Sequence, residues 1–444
     1  MPVDLRAIAA IAAIAACHPA VGVPPPRPAT CWFDRADGST FELRADGDLV
    51  VLRRTGEAQR LARIGPTGAV AWEAPVDEPG TVELLAIDAH DDVLLVGEAK
   101  RAAEAVGDQP GCFVEKRSGH DGAARWTTRF TGTGYQDCRG IAVDAAGDAY
   151  AIGTFASTMT TPISVLASRG SSDIVVMRLA AADGAVRWVR TFGGANNDIS
   201  RAIAVDRAGR VIVGGQFSGD GRPETGEVDF GVARLHAAGD FDAFLLALTP
   251  RGEPIWVRGF GDVGFDIVKS VAPDRDGNLY ISGAWMRPAD YHGQPPILTG
   301  IMDGFVARYG ADGALAWRHV FTGGDGSQAH HVALDAVGRP WIVGHLKGTV
   351  DLGGRALAGT PGRSAAYAAG FTPTGEPTWA ALVGAPGAEY AYRLAVAPDG
   401  ALVVGGRGNG PALLCGALRD GAADGDDYIE RFAPQLRRSA LRDR

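Results

Sequence analysis

The sequence repeats the pattern Gly-x-x-x-Trp six times without any change in its internal length. The six segments are Gly68–Trp72, Gly122–Trp126, Gly184–Trp188, Gly252–Trp256, Gly313–Trp317 and Gly375–Trp379. Successive tryptophans lie 54, 62, 68, 61 and 62 residues apart, and in five units another glycine follows 21 residues after the tryptophan. A fixed motif that returns at such a period is typical of a repeat architecture, in which one structural unit is built several times.

Each repeat predicts four short strands. In the unit that contains Trp188, apolar or alternating runs occur at Ile141–Asp144, Ala149–Ile152, Asp173–Leu179 and Val186–Phe192. Glycines lie at the tight turns, where positive φ is needed. One four-stranded sheet cannot bury both of its faces alone, so we expect repeated sheets to pack around an axis as the blades of a β-propeller.

The inner pair of strands indicates the number of blades. Its pattern occurs seven times, at Phe41–Leu52, Leu84–Val96, Ile141–Ile152, Ala202–Val213, Val271–Ile281, Val332–Val343 and Leu394–Val404. The sequence therefore predicts an all-β, seven-bladed β-propeller of four-stranded antiparallel blades over residues 31–444. A seventh Gly-x-x-x-Trp is missing at the C-terminus. Since Trp32 precedes the first blade, we expect an N-terminal strand to complete the last sheet and remove its free edge.

Several motifs together resemble a bacterial repeat family. Phe192-Gly-Gly-x-x-x-Asp198 is followed by Ala202-Ile-Ala-Val-Asp206, by Asp242-Ala-Phe244 and by Gly252-x-x-x-Trp256. This succession is similar to the seven-bladed β-propeller repeats of the SBBP type and to glycine-rich repeats of deltaproteobacterial surface proteins. The resemblance covers about residues 31–432. It implies the propeller fold and a surface or secreted location, and it implies no particular activity.

The repeated Asp-Gly-x-x-x-Trp is also similar to the tryptophan-docking turn of quinone-dependent dehydrogenases. Those enzymes have eight blades of about 40 residues and a cofactor site with a catalytic carboxylate and calcium, which the pattern here does not provide. The tryptophans are therefore interpreted as packing groups between blades.

The first 30 residues predict export. Ala7–Ala16 is an apolar run behind Arg6, which suits the core of a signal peptide and is too short to span a membrane. Small residues before Cys17 resemble a bacterial lipobox, so residues 1–17 predict a signal peptide and Cys17 an acylated N-terminus; simple secretion is the alternative. Residues 18–30 are proline-rich and predict a semi-rigid tether. The predicted location is the outer membrane or cell surface, otherwise the periplasm or the medium, with membrane contact only through the lipid.

Four further cysteines permit two disulfides in an exported chain. If the N-terminal strand joins the last blade, Cys31 and Cys415 could come close enough to form one of them. Cys112 and Cys138 would then form the second pair or stay free. The alternative is that the cysteines are buried free thiols.

Composition and motifs argue against several functions. The formal net charge of −9 argues against a nucleic-acid binder. No nucleophile elbow, phosphate-binding loop or zinc-ligand spacing occurs. Asp274–Asn278 resembles the start of a calcium loop, but aligned units place it in a hairpin turn, and Asp420–Asp427 is interpreted as a solvated acidic loop. His330 and His331 are expected to point to opposite faces of a strand and so not to chelate together. We therefore assign no catalytic residue, metal or cofactor.

The long, dissimilar connections concentrate on one face of the predicted propeller. They are Thr154–Ser172, Gln216–Phe241, Ala284–Met302, His345–Ser364 and Arg407–Asp426. Loops on a rigid scaffold commonly carry binding sites. The candidate contacts on this face are Arg222, Trp285, Tyr291, His292 and His345.

These features favour a monomeric, non-enzymatic scaffold that binds a glycan, a peptide or a protein through the long-loop face. The alternative is an extracellular hydrolase or lyase that acts on a polysaccharide at the propeller axis. Paired acidic residues at the axis would favour this alternative.

Overall fold

The computed structural model describes residues 33–34, 40–56, 58–78, 80–99, 109–218, 226–261, 264–286, 302–359, 362–383, 388–408, 412–414, 417–419 and 426–432. These ranges consist of β-strands and the turns between them. Within them, no helix is long and apolar enough to cross a membrane.

Seven antiparallel sheets, called blades 1 to 7 in chain order, form the ring. Blade 1 contains β2 (Phe41–Leu43), β3 (Leu49–Thr55), β4 (Ala58–Ile64) and β5 (Val70–Val76). Blade 2 contains β6 (Gly80–Ile87), β7 (Val93–Ala99), β8 (Gln109–Arg117) and β9 (Ala124–Gly132). Blade 3 contains β10 (Gln136–Val143), β11 (Ala149–Phe155), β14 (Asp173–Leu179) and β15 (Val186–Phe192).

The remaining blades repeat this order. Blade 4 contains β16 (Asp198–Val205), β17 (Val211–Ser218), β20 (Phe241–Leu248) and β21 (Pro254–Phe260). Blade 5 contains β22 (Asp266–Pro273), β23 (Leu279–Met286), β24 (Met302–Tyr309) and β25 (Leu315–Val320). Blade 6 contains β26 (Gly326–Leu334), β27 (Pro340–Lys347), β30 (Ser364–Phe371) and β31 (Pro377–Leu382). Blade 7 contains β32 (Ala388–Val396), β33 (Leu402–Gly408), β36 (Asp426–Phe432) and β1 (Phe33–Asp34). The predicted seven-bladed propeller is confirmed.

The last blade is completed by the N-terminal strand, as the sequence predicts. Phe33 in β1 lies opposite Glu430 in β36, and the two strands are antiparallel. Blade 7 also contacts blade 1 directly, because the Nε of Arg393 donates a hydrogen bond of 2.8 Å to the carbonyl of Phe41. Both ends of the described chain therefore contribute to one sheet, while Trp32 itself lies outside the described residues.

The hydrophobic core is divided among the interfaces between blades. Each apolar cluster of the described residues joins strands of two neighbouring blades, and together the clusters follow the whole ring. For example, Phe113 of blade 2 packs with Val50 and Leu52 of blade 1. Blade stacking thus buries the sheet faces that a single blade would leave exposed.

The repeated tryptophans hold consecutive blades together at their outer strands. Five indole Nε1 groups donate to a turn carbonyl of the next blade. The pairs are Trp72 with Gly119 (3.1 Å), Trp126 with Ala181 (3.0 Å), Trp188 with Pro250 (3.0 Å), Trp256 with Ala311 (3.1 Å) and Trp317 with Pro373 (2.9 Å). The interpretation of these residues as packing groups between blades is confirmed.

The glycine of each motif receives the tryptophan of the preceding blade. At Gly252, φ is +78° and an added Cβ would lie 2.9 Å from the ring of Trp188. The same relation joins four other pairs: Gly122 and Trp72, Gly184 and Trp126, Gly313 and Trp256, and Gly375 and Trp317. The fixed spacing of Gly-x-x-x-Trp therefore has a physical cause. The glycine must contact the tryptophan of the preceding blade, while the tryptophan four residues later must contact the following blade.

Several long connections carry short hairpins. These are β12 (Thr158–Thr161) with β13 (Ser164–Ala167), β18 (Glu227–Asp229) with β19 (Arg234–His236), β28 (Thr349–Asp351) with β29 (Ala356–Ala358), and β34 (Ala412–Leu414) with β35 (Ala417–Arg419). Three of them contact the preceding blade: Thr160 pairs with Thr131, Phe230 stacks on Phe192 with ring centroids 5.7 Å apart, and β28 forms a bridge to Thr322. These connections therefore clasp neighbouring blades.

A disulfide joins Cys112 in β8 of blade 2 to Cys138 in β10 of blade 3. Both residues are buried. Of the two states that the sequence leaves open for these cysteines, a pair or free thiols, the structure contains the pair. The predicted pair Cys31 and Cys415 lies outside the described residues.

The tryptophan contact predicts unequal costs for two similar substitutions. Gly252→Ala should lower the free energy of unfolding by about 3 kcal/mol, because it combines a strained positive φ with a clash against the Trp188 ring. Gly338→Ala is the matched control, since its φ is +81° but no atom lies within 4 Å of the added Cβ. It should cost only about 1 kcal/mol. Urea unfolding of both variants measures the difference, and equal losses would contradict the packing role.

Candidate functional site

The inner strands of blades 2 to 7 share a β-bulge at the same position. At this position a register shift leaves one residue of each strand outside the ladder, and β32 has a second shift near its start. These residues, called the axial ring below, are Glu83, Arg139, Arg201, Lys269, His330 and Tyr392. A bulge redirects a side chain away from the regular alternation of a strand. Charges and contacts link each member to the next one around the ring, so the six side chains face a common space at the axis.

At blades 2 and 3, carboxylates near the axial ring form ion pairs with Arg139. Arg139 forms an ion pair with Asp137 and lies 3.6 Å from Glu98. Tyr135 connects the two charges, because its hydroxyl donates to Asp137 at 2.7 Å and accepts from Arg139 at 2.6 Å. Burial raises the pKa of Glu83, and the nearby carboxylate of Glu98 raises it further. The positive charge of Arg139 is therefore already compensated.

Blades 4 and 5 place two cations next to each other. Burial, together with the charge of Arg139, lowers the pKa of Arg201. Burial, together with the charge of Arg201, lowers the pKa of Lys269 to about 8. The Nε of Arg201 is buried without a hydrogen-bond partner, and no carboxylate of the described residues forms an ion pair with this guanidinium. Two partly buried positive charges next to each other destabilise the folded protein unless an anion binds between them.

A chain of polar contacts runs from Lys269 to two histidines. The Nζ of Lys269 donates to the amide oxygen of Gln328 and lies 3.4 Å from the Nδ1 of His330. The Nε2 of His330 lies 2.9 Å from the Nδ1 of His345. Burial, with the charge of Lys269, holds the pKa of His330 well below its usual range and lowers that of His345 to about 4. Both imidazoles are therefore neutral at pH 7.

Two tyrosines of blade 7 form the wall beside these histidines. The ring of Tyr392 lies 5.3 Å from that of His330, and Tyr390 lies 4.7 Å from His345. The two tyrosine rings are parallel, with centroids 5.7 Å apart. The opening that the axial ring surrounds is called the mouth below. It is aromatic beside Tyr390 and Tyr392, and cationic beside Arg201 and Lys269.

A cavity of about 270 Å³ opens beside the ring between blades 3 and 4. Its wall includes Tyr135, Arg139 and Arg201, and the loop residues Ser172 and Asn197 complete it. Tyr135 is 46% exposed, so its ring is accessible from the cavity side. Inner strands begin and second strands end on this face, which makes it the face of the long connections.

Of the residues predicted for the binding face, the structure describes two, His345 and Trp285, and they lie in different surroundings. His345 lies near the end of β27 and takes part in the axial chain described above. Trp285 is wrong as a surface contact, because it lies in β23 with 1% exposure and stacks on Phe305 at 4.5 Å. Strand β23 continues to Met286, beyond the point where the sequence predicts a loop. The other candidates, Arg222, Tyr291 and His292, and the lipidation residue Cys17 lie outside the described residues.

The calcium-like segment is a hairpin turn, as predicted. The Oδ1 of Asp274 accepts hydrogen bonds of 2.9 Å from the backbone N–H groups of Asp276 and Asn278. Its Oδ2 accepts from the side chain of Asn278. The carboxylate is thus used to hold the turn. Within the described ranges, no three His, Cys, Asp or Glu side chains lie close enough together to hold a metal ion.

The sequence reasoning did not identify the axial ring, although a signal for it exists. Each ring residue lies one or two positions before a predicted inner strand, and five of the six are Glu, Arg, Lys or His. The apolar residues of these strands predict the fold, and the polar residues before them take no part in that prediction. Alignment of the polar residues just before them would have shown the ring.

No protein-family model matches the chain, and no curated protein matches it in sequence. Among solved structures, virginiamycin B lyase from Staphylococcus aureus is 11% identical with a TM-score of 0.48, over 91% of this chain and 99% of that chain. The Dos1 propeller is 7% identical with a TM-score of 0.45, over 92% and 96% of the two chains. A gluconolactonase from Xanthomonas campestris is 16% identical with a TM-score of 0.37, over 73% and 96%. The sheet order defines this chain as a seven-bladed β-propeller, and such distant similarities say nothing about what it binds.

The buried charge of Lys269 predicts a pH-dependent stability difference. In the folded protein its pKa is about 8, below the value of about 10.4 expected in the unfolded chain. Between these values the unfolded chain binds more protons, so this group makes the wild-type protein more stable as the pH rises. Below pH 8, Lys269→Met should therefore be more stable than wild type by about 2 kcal/mol, and the gap should narrow towards pH 10.

Urea unfolding at several pH values tests this expectation. Arg251→Met, at an exposed turn on the opposite face, is the control and should follow wild type throughout. A Lys269→Met variant whose difference from wild type stays constant between pH 7 and 10 would show that Lys269 has an ordinary pKa.

Proposed function

We propose that the protein is an exported, lipid-anchored scaffold of the cell surface that binds a glycan at the axial mouth of its long-loop face. The observation that carries the proposal is the axial ring, in which bulges on six consecutive inner strands turn polar or aromatic side chains towards one opening. Such convergence on a rigid scaffold is a common basis for ligand binding.

The chemistry of the mouth suits a sugar better than an extended apolar segment. Tyr135 offers a partly exposed ring, while Arg139, Arg201, Ser172 and Asn197 offer hydrogen-bonding groups around a small cavity. Sugars combine hydroxyl groups with flat C–H faces, which such mixed surfaces bind. The proposal therefore selects the glycan from the three ligand classes that the sequence leaves open.

Export and anchoring are part of the same proposal. The disulfide between Cys112 and Cys138 supports an oxidising compartment, because disulfides persist mainly outside the cytosol. The lipobox-like sequence before Cys17 supports acylation, and the resemblance to SBBP-type surface repeats supports a surface location. The proline-rich residues 18–30 would separate the propeller from the membrane.

One observation favours the alternative of a polysaccharide hydrolase or lyase. Glu83 and Glu98 act on each other electrostatically at the axis, and the pKa of Glu83 is raised by burial and by Glu98. A carboxyl group with a raised pKa beside a second carboxylate can serve as a general acid. Product formation from polysaccharide that is lost in Glu83→Gln would support this alternative over the scaffold.

Binding to immobilised neutral and acidic glycans, followed by calorimetry on the best ligand, tests the scaffold. Tyr135→Ala should weaken binding about tenfold, since it removes an aromatic contact and loosens Arg139. Val337→Ala, which is 71% exposed in the turn between β26 and β27 on the opposite face, is the control and should bind like wild type. Unchanged affinity in Tyr135→Ala, or release of shortened products from the glycan, would contradict the proposal.

Mass spectrometry of the protein isolated from its native membrane tests the anchor. We expect the mature chain to begin at Cys17 with attached acyl groups, and Cys17→Ser to abolish that modification. Cleavage at another position with an unmodified Cys17 would contradict lipid anchoring while leaving glycan binding to be decided by the calorimetry.

A further inference from the structure

We propose that Arg201 and Lys269 form an oxyanion site for the carboxylate of an acidic sugar, with His345 as an additional donor. This inference rests on the proposed glycan binding and names the class of glycan. It assigns the carboxylate of the ligand to the cations of blades 4 and 5, and the uncharged part to the cavity beside Tyr135.

The first argument is that Arg201 forms no ion pair with the described residues, and the one carboxylate that acts on it, Asp137, is ion-paired with Arg139. The Nε of Arg201 is buried without a hydrogen-bond partner, and the neighbouring guanidinium of Arg139 is held by Asp137 and Glu98 instead. A half-buried cation in this position is costly unless an anion accepts its donors. The planar donor group of arginine matches a carboxylate in two parallel hydrogen bonds.

The second argument is that Lys269 adds a second cation without neutralising the first. The charged or titratable groups that act on it are Arg201 of β16 and His330 and His345 of the neighbouring blade. The Nζ of Lys269 contacts two neutral groups, the amide oxygen of Gln328 and the imidazole of His330. Two adjacent cations with neutral hydrogen-bond partners create a positive potential, which a bound anion would neutralise.

The third argument concerns the direction of the donors along the polar chain. If Lys269 donates to the Nδ1 of His330, then the proton of His330 lies on Nε2 and is directed to the Nδ1 of His345. The remaining N–H of His345 is then its Nε2 group. The chain therefore carries the positive polarisation of Lys269 to His345, which becomes a hydrogen-bond donor at neutral pH without being charged itself.

The acids of the mouth restrict how a charged sugar can be placed. Glu83, Glu98 and Asp137 lie on the side of blades 2 and 3, where they would repel a carboxylate. The cavity beside Arg201 is about 270 Å³, a size that admits a single sugar unit of a chain rather than a bulky ligand. Asp137 also lines this cavity, where its charge is paired with Arg139. The volume therefore fits one sugar residue, whose carboxylate would turn away from Asp137 towards Arg201 and Lys269.

Isothermal titration calorimetry of the full mature protein with D-glucuronate, and with D-glucose as the neutral probe, tests the site. Glucuronate should bind at least tenfold more tightly than glucose, and Arg201→Met and Lys269→Met should each remove that preference. Arg251→Met should keep it. Because each variant removes a partly buried charge that forms no ion pair with the described residues, neither substitution should lower the melting temperature, whereas loss of a merely structural arginine or lysine would.

The possible outcomes separate this inference from the proposed function. Equal binding of glucuronate and glucose by wild type, or an unchanged preference in both methionine variants, would overturn the oxyanion site. Tyr135-dependent binding of a neutral glycan in the same experiments would leave the scaffold proposal standing. Affinity for glucuronate that falls as the pH rises through about 8 would support Lys269 as the second cation, because an anion binds its charged form. Affinity that is flat across that range would count against it.

Discussion

The docking of each tryptophan on the turn of the next blade is the contact on which this propeller depends. The indole is held in two ways at once, by a hydrogen bond from Nε1 to a turn carbonyl and by packing of the ring on a glycine. Arg190 and Arg258 strengthen two of these contacts, since each lies over a tryptophan ring and donates to the carbonyl of the docked glycine at 3.1 and 2.9 Å. The same contact recurs in five successive pairs of blades, and a Cβ added at any of the docked glycines would lie too close to the tryptophan ring.

Because the tryptophans lie on the outer strands, these contacts between blades are made far from the axis of the propeller. Apolar clusters fill the interfaces, hairpins such as β18 and β19 clasp the neighbouring blade, and β1 completes blade 7. The inner strands are then free to carry bulges and polar side chains, because the ring does not need an apolar centre. Arg201 and Lys269 can remain poorly compensated there since the rest of the ring supplies the stability that they reduce. A binding site that costs stability is a common feature of rigid scaffolds.

Most of the fold could be predicted because its determinants are local and repeated. The offset of 21 residues between Trp188 and Gly209 joins an outer strand to the next inner turn, and that distance is nearly fixed by strand length. The hairpin at Asp274 could be predicted for the same reason. Trp285 could not, because the extent of β23 depends on pairing with Asp266 and Asp303 in neighbouring strands rather than on its own residues.

The site was harder to predict because bulges break the alternation from which strand faces are inferred. A period of two places Arg201 and Ala202 on opposite faces, but gives no sign that one residue leaves the ladder. The sequence predicts His345 as a loop residue, whereas it lies near the end of β27 and contacts His330 of the axial ring. The pairing of Arg139 with Asp137, which distinguishes it from Arg201, depends on distances that the sequence does not contain.

Hydrogen exchange of the indole N–H groups tests the central contact most directly. With tryptophan labelled by ¹⁵N, NMR can follow Trp72, Trp126, Trp188, Trp256 and Trp317 individually. If docking holds the blades together, these five signals should exchange slowly and at similar rates, governed by the opening of the blade interfaces rather than by local exposure. Rapid exchange of these indoles, while the backbone amides of the inner strands stay protected, would show that the ring holds together without them.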